Sequence, residues 1–73
     1  MSEKEVLLTD LGLRIKELRR NKGISQEQLG ELSGLHRTYI GMIERGEKNI
    51  TIYNLWLISK ALKTNLKTMF HGF

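Results

Sequence analysis

The 73-residue sequence predicts an all-α fold, a bundle of five helices, and three features carry that expectation. Apolar residues recur at spacings of three and four, and no stretch alternates as a half-buried strand does. A start signal of one kind, a capping residue with an apolar residue before it and another four residues after it, occurs at Ser25, His36 and Thr51. No proline interrupts the periodic segments, and glycines fall just beyond several of their ends. A chain of this length forms one domain, residues 1–73, with an ordered core expected over about residues 7–71.

The first helix is expected from about Asp10 to Lys22, capped by Thr9 and stopped at Gly23, with Leu11, Ile15 and Leu18 on its apolar face. Met1 to Glu5 read as a frayed end. At the second helix, Ser25 is placed to accept from the backbone three residues on while Gln28 reaches back, and Ile24 and Leu29 bracket the cap. Leu29 and Leu32 are expected to be its buried face, ending near Ser33 where Gly34 supplies a positive φ for a sharp turn. The third helix is capped by His36, turns Ile40 and Ile43 inward and stops at Gly46. The fourth runs from Thr51 to about Leu62 with Leu55, Ile58 and Leu62 as its stripe. A short fifth helix behind Asn65 is expected to close the core with Leu66, Met69 and Phe70.

Composition removes several functions. The absence of cysteine excludes a disulfide scaffold, a thiolate metal site and a cysteine nucleophile, and His36 and His71 do not make a metal cage, so no metal and no cofactor are expected. No paired carboxylates, activated nucleophile or phosphate-cradling glycine loop supports an enzyme. No apolar run approaches the roughly 18 residues of a membrane span, and no charged-then-apolar leader precedes Leu7 and Leu8, so the chain is expected in the cytoplasm. The net charge of +4 is uneven: residues 1–35 hold six bases and six acids, whereas residues 36–73 hold six bases against Glu44 and Glu47 alone. Such a half suits a polyanion, although a solvated surface accounts for the charge equally well.

The segment Ser25–Arg45, SQEQLGELSGLHRTYIGMIER, has the proportions of a helix-turn-helix. Gly30 sits where the two helices approach most closely. With Ile40 and Ile43 inward, helical geometry turns Arg37, Thr38, Gly41 and Arg45 toward solvent or the flanks. Arg37 and Thr38 lie in the first turn, where a helix entering the major groove reads bases: Arg donates bidentately to guanine, and Thr bonds a base or touches a thymine methyl. Gly41 is expected to let the helix approach the duplex unobstructed.

The run from Arg14 to Gly46, including LRRNKGISQEQL and IERG, resembles the Xre or Cro/repressor family of helix-turn-helix regulators, whose fold is lambda-repressor-like. The stretch LHRTYIGMIERGEKNITI from Leu35 to Ile52 is similar, within that family, to the controller proteins of restriction-modification systems. The resemblance implies a transcriptional regulator that binds double-stranded DNA as a homodimer on a partly palindromic operator. It would control its own gene and a restriction gene, with RNA polymerase left open as a further partner. It makes Arg37 and Thr38 the base-reading positions, assigns Gln26, Tyr39, Arg45, Lys48 and Asn49 to phosphates, and pairs Arg19 with Glu44 as a structural ion pair. Arg14 and Arg20 are expected to be solvated helix-face charges. Phage repressors carry Gln where this chain has Arg37 and Thr38, and some have a polar base contact in place of Met42, so their operator preferences do not transfer. Two alternatives share the fold: an antitoxin-like or adaptor module that binds protein, and a phage-type repressor.

The fourth helix has more apolar residues than one core-facing stripe uses. Ile52, Tyr53, Trp56 and Leu57 are left over, and Met69, Phe70 and Phe73 lie near the same end. A second subunit would cover them, so Tyr53, Trp56, Leu57, Met69, Phe70 and Phe73 are the expected dimer interface, with Trp56 equally suited to completing the monomer core.

Overall fold

Five helices and no strand make up the computed structural model, which describes all residues 1–73: α1 (Glu3–Asn21), α2 (Gln26–Ser33), α3 (Arg37–Glu44), α4 (Ile52–Ala61) and α5 (Leu66–Met69). Each begins at a side chain that accepts from an otherwise unpaired backbone N–H: Ser2, Ser25, His36, Thr51 and Asn65. At α2 the capping box is complete, with the Gln28 N–H donating to Ser25 Oγ at 3.0 Å and the Ser25 N–H to Gln28 Oε1 at 2.8 Å. Gly34 follows with φ 78°, and α3 begins three residues later.

The first helix corrects the sequence reading. It starts at Glu3, not near Asp10, and Thr9 lies inside it. A second capping box makes the difference: the Glu5 N–H donates to Ser2 Oγ at 3.1 Å and the Ser2 N–H to Glu5 Oε1 at 3.2 Å. Glu3 and Glu5 in the first turn, with Arg19 and Arg20 in the last, also complement the helix dipole. The segment read as frayed is therefore helical from Glu3.

One core joins all five helices through Leu11, Ile15, Leu29, Ile40, Ile43, Leu55, Ile58, Leu62 and Met69. Leu32 departs from expectation: it is 59% exposed, and Ser33 takes the buried position, its hydroxyl donating to the Leu29 carbonyl at 2.7 Å. Helices α1 and α3 cross at Gly12, where a Cβ would collide with the carbonyl oxygen of Ile43 and lie 2.7 Å from that of Glu44. At the α2–α3 turn a Cβ on Gly30 would lie 2.6 Å from the Leu35 carbonyl oxygen, so this approach also requires glycine.

Arg14 is not the solvated charge expected of it. Its Nη1 donates to the carbonyls of Thr68 at 2.7 Å and Met69 at 3.2 Å, its Nη2 to that of His71 at 2.8 Å, and its guanidinium lies 5.1 Å from the centre of the Phe73 ring. One side chain of α1 thus satisfies the carbonyls at the end of α5 and fixes the C-terminal turn.

Candidate nucleic-acid interface

The helix-turn-helix is braced from behind by a buried polar cluster. Arg19 of α1 donates through Nε to Glu44 Oε2 at 2.7 Å and through Nη2 to Glu44 Oε1 at 3.0 Å, a fork-to-fork pair at the end of α3. Its Nη1 bonds the Ile24 carbonyl at 2.8 Å, which fixes the chain just before Ser25 and α2. Gln26 completes the cluster, its Nε2 donating to Glu44 Oε1 at 3.1 Å. Side chains from α1, α2 and α3 therefore meet at one carboxylate, and no buried side-chain polar atom of the protein is left without a partner.

Gln26 is half-buried, with its side-chain amide engaged to Glu44, while its place as the first residue of α2 keeps the positive end of that helix beside it. Gly41 corrects an expectation. It is buried rather than open, because Arg45 and Gln26 lie across it; a Cβ there would stand 3.1 Å from Arg45 Nη1 and 3.4 Å from Gln26 Oε1. Its missing side chain makes room for two neighbouring side chains.

On the open side, Arg37 and Thr38 occupy the first turn of α3 and are exposed. His36 caps that turn, its Nδ1 accepting the Thr38 N–H at 3.0 Å. Arg37 Nη1 donates to Glu27 Oε2 of α2 at 3.1 Å, a cross-helix pair absent from the sequence reading. Tyr39 is half-buried against the core, and its hydroxyl accepts from Asn54 Nδ2 at 3.0 Å. Arg45 follows the last residue of α3 and donates to Glu47 at 2.8 Å and 3.3 Å. Hydrogen bonding to Arg45 holds the Glu47 carboxyl below the usual carboxylate range, and the same bond raises the Arg45 guanidinium further. Lys48 and Asn49 are exposed in the following loop, and Asn49 also borders an apolar groove with Leu7, Leu8, Ile50 and Ile52.

Of the residues expected to pair subunits, Tyr53, Trp56, Phe70 and Phe73 are exposed and Leu57 is half-buried. Met69 is not available: it is fully buried in the core, because Arg14 fixes α5 with that side chain inward. Tyr53 and Trp56 stack with ring centres 6.1 Å apart, and Lys60 Nζ sits 4.3 Å from the centre of the Trp56 ring. No group of three or more metal-ligating side chains converges, and no helix is long and apolar enough to cross a membrane.

This architecture defines the class of the protein: the chain belongs to the helix-turn-helix family HTH_3, whose profile matches residues 15–68. The control protein C.SmaI of Serratia marcescens is 46% identical over 66 residues, which are 90% of this chain and 74% of that protein. The control protein C.BamHI of Bacillus amyloliquefaciens is 42% identical over 59 residues, 80% of this chain and 73% of that one. Among solved structures, the restriction-modification controller protein C.AhdI from Aeromonas hydrophila superposes with a TM-score of 0.87 at 42% identity, covering 89% of this chain and 98% of that chain. Family and fold class agree with the resemblance read from the sequence.

Proposed function

We propose that this protein is a sequence-specific DNA-binding regulator of transcription, acting as a homodimer on a partly palindromic operator and controlling restriction-modification genes, its own among them. The observation that carries the reading is the exposed Arg37 and Thr38 in the first turn of α3, on a helix-turn-helix braced from behind by Arg19, Glu44 and Gln26. Side chains that read bases need a rigid mount, and the cluster at Glu44 supplies one while Arg37 and Thr38 stay exposed. The likeness in sequence to the two control proteins, and in structure to the restriction-modification controller protein C.AhdI, supports the restriction-modification assignment.

In this reading Arg37 and Thr38 contact base edges in the major groove. Gln26, Tyr39, Arg45, Lys48 and Asn49 face phosphates: Gln26 through the start of α2, Tyr39 through the hydroxyl hydrogen that Asn54 leaves free, and Arg45 by exchanging Glu47 for the backbone. Tyr53, Trp56, Leu57, Phe70 and Phe73 meet a second subunit. The site of action is the cytoplasm, where the DNA is. A mobility-shift titration with the DNA upstream of the protein's own gene, run at about 50 and 200 mM salt, tests the proposal. Retained preference over scrambled competitor at the higher salt is expected; loss of all preference, with binding to heparin alone, contradicts it.

A further inference from the structure

The ion pair between Arg37 and Glu27 joins the first turns of α3 and α2 across the open side of the motif. Its side chains are 65% and 61% exposed, so the pair adds almost nothing to stability. A second acid, Glu31, one turn further along α2, lines the same shallow groove as Glu27 and Arg37 but forms no ion pair. Two carboxylates beside a surface that meets a polyanion repel every DNA sequence alike. Only one of them touches the residue assigned to base reading.

We propose that Glu27 is a specificity-determining residue that acts through Arg37, offsetting its attraction to phosphate and holding it in the orientation that meets a base edge. The inference rests on the assignment of Arg37 to base reading. A guanidinium carries five N–H donors, and Glu27 engages it through Nη1 alone. The Nη2 and Nε edge keeps the two parallel donors that the O6 and N7 of guanine accept. Without Glu27, Arg37 is a free cation on a long flexible stem, able to pair with any phosphate, which is binding without sequence information and with a steep salt dependence. With Glu27, that gain is largely cancelled, whereas a base edge, which bears no net charge, gives up little. Glu27 therefore weakens nonspecific binding more than specific binding.

Fluorescence anisotropy tests this with wild type, Glu27→Gln, Glu31→Gln, Arg37→Ala and the Glu27→Gln/Arg37→Ala double variant. Each is titrated with the duplex that wild type selects from a random pool and with a scrambled duplex, across a salt series. Glu27→Gln is expected to tighten binding to the scrambled duplex, steepen its salt slope by about one unit and lower the selected-to-scrambled affinity ratio about tenfold. Glu31→Gln, which removes the same charge without freeing Arg37, raises both affinities by one factor and leaves the ratio unchanged. In the Arg37→Ala background, Glu27→Gln no longer changes the ratio. If Glu27→Gln behaves as Glu31→Gln does, the inference is overturned while base reading by Arg37 stands. If Arg37→Ala keeps the wild-type preference, base reading itself fails. A lowered melting temperature in Glu27→Gln would also contradict the inference, by making the pair structural.

Discussion

Arg19 and Arg37 are each paired with a glutamate, and burial separates their uses. Arg19 and Glu44 are 9% and 5% exposed, so each charge depends on the other for the solvation that water no longer supplies. Replacing Arg19 by Met leaves Glu44 with Gln26 as its only side-chain donor and is expected to cost about 3–5 kcal/mol, read as a lower urea midpoint at unchanged m-value. A loss below about 1 kcal/mol would remove the pair from the account of why α1, α2 and α3 hold together. Arg37 should behave in the opposite way. Its replacement by Ala is expected to leave unfolding stability within about 0.5 kcal/mol and to cost about 1–3 kcal/mol of binding to the selected duplex, relaxing preference at one base pair per half-site. An Arg37→Ala protein with an unaltered base preference contradicts the assignment.

At the scale of the helices, the most constrained point is the crossing of α1 and α3. Gly12→Ala drives a methyl group into the backbone of Ile43 and Glu44, which cannot move aside as a flexible side chain would. The expected destabilisation is about 3 kcal/mol by denaturant titration, although alanine improves the helix propensity. A neutral outcome would show that the crossing can open. Much of this architecture is legible in the sequence for a local reason: caps and staples act within four residues, so the starts of α2, α3, α4 and α5 stand in the text at Ser25, His36, Thr51 and Asn65. The start of α1 was equally local, the Ser2 to Glu5 box, but its first two turns bury no apolar stripe, and periodicity alone points to Asp10. Leu32 is the natural partner of Leu29 in the sequence because it is apolar, yet spacings of three and four fit one helix face equally well, and the fold buries Ser33 instead. Gly12 against Glu44 and Arg14 against residues 54 to 57 positions away leave no local mark at all. The candidate site divides in the same manner. The exposure of Arg37 and Thr38 follows from helical phase, whereas the links of Gln26 to Glu44 and Arg37 to Glu27 join helices whose relative placement only the fold sets.

At the scale of the whole molecule, the apolar surface left uncovered is as informative as the core. Ile52 and Tyr53 are 67% and 62% exposed on α4, and Trp56, Phe70 and Phe73 extend the same kind of surface toward the C-terminal end. Pairing two subunits there would free both α3 helices to enter successive major grooves about 34 Å apart, one turn of duplex. Trp56→Ala is expected to weaken dimerisation by about 2 kcal/mol, roughly thirtyfold, in sedimentation equilibrium, with little change in the fold, because the residue is 44% exposed in the monomer. A strict monomer at micromolar concentration in the wild type would remove the two-subunit reading. The central claim, that α3 reads sequence as one of a symmetric pair, is tested most directly by selecting bound duplexes from a random DNA pool at near-physiological salt. The account predicts an enriched site of two inverted half-sites, their centres about one helical turn apart or a multiple of it. A pool that shows no enriched sequence, or a single half-site without symmetry, would contradict it.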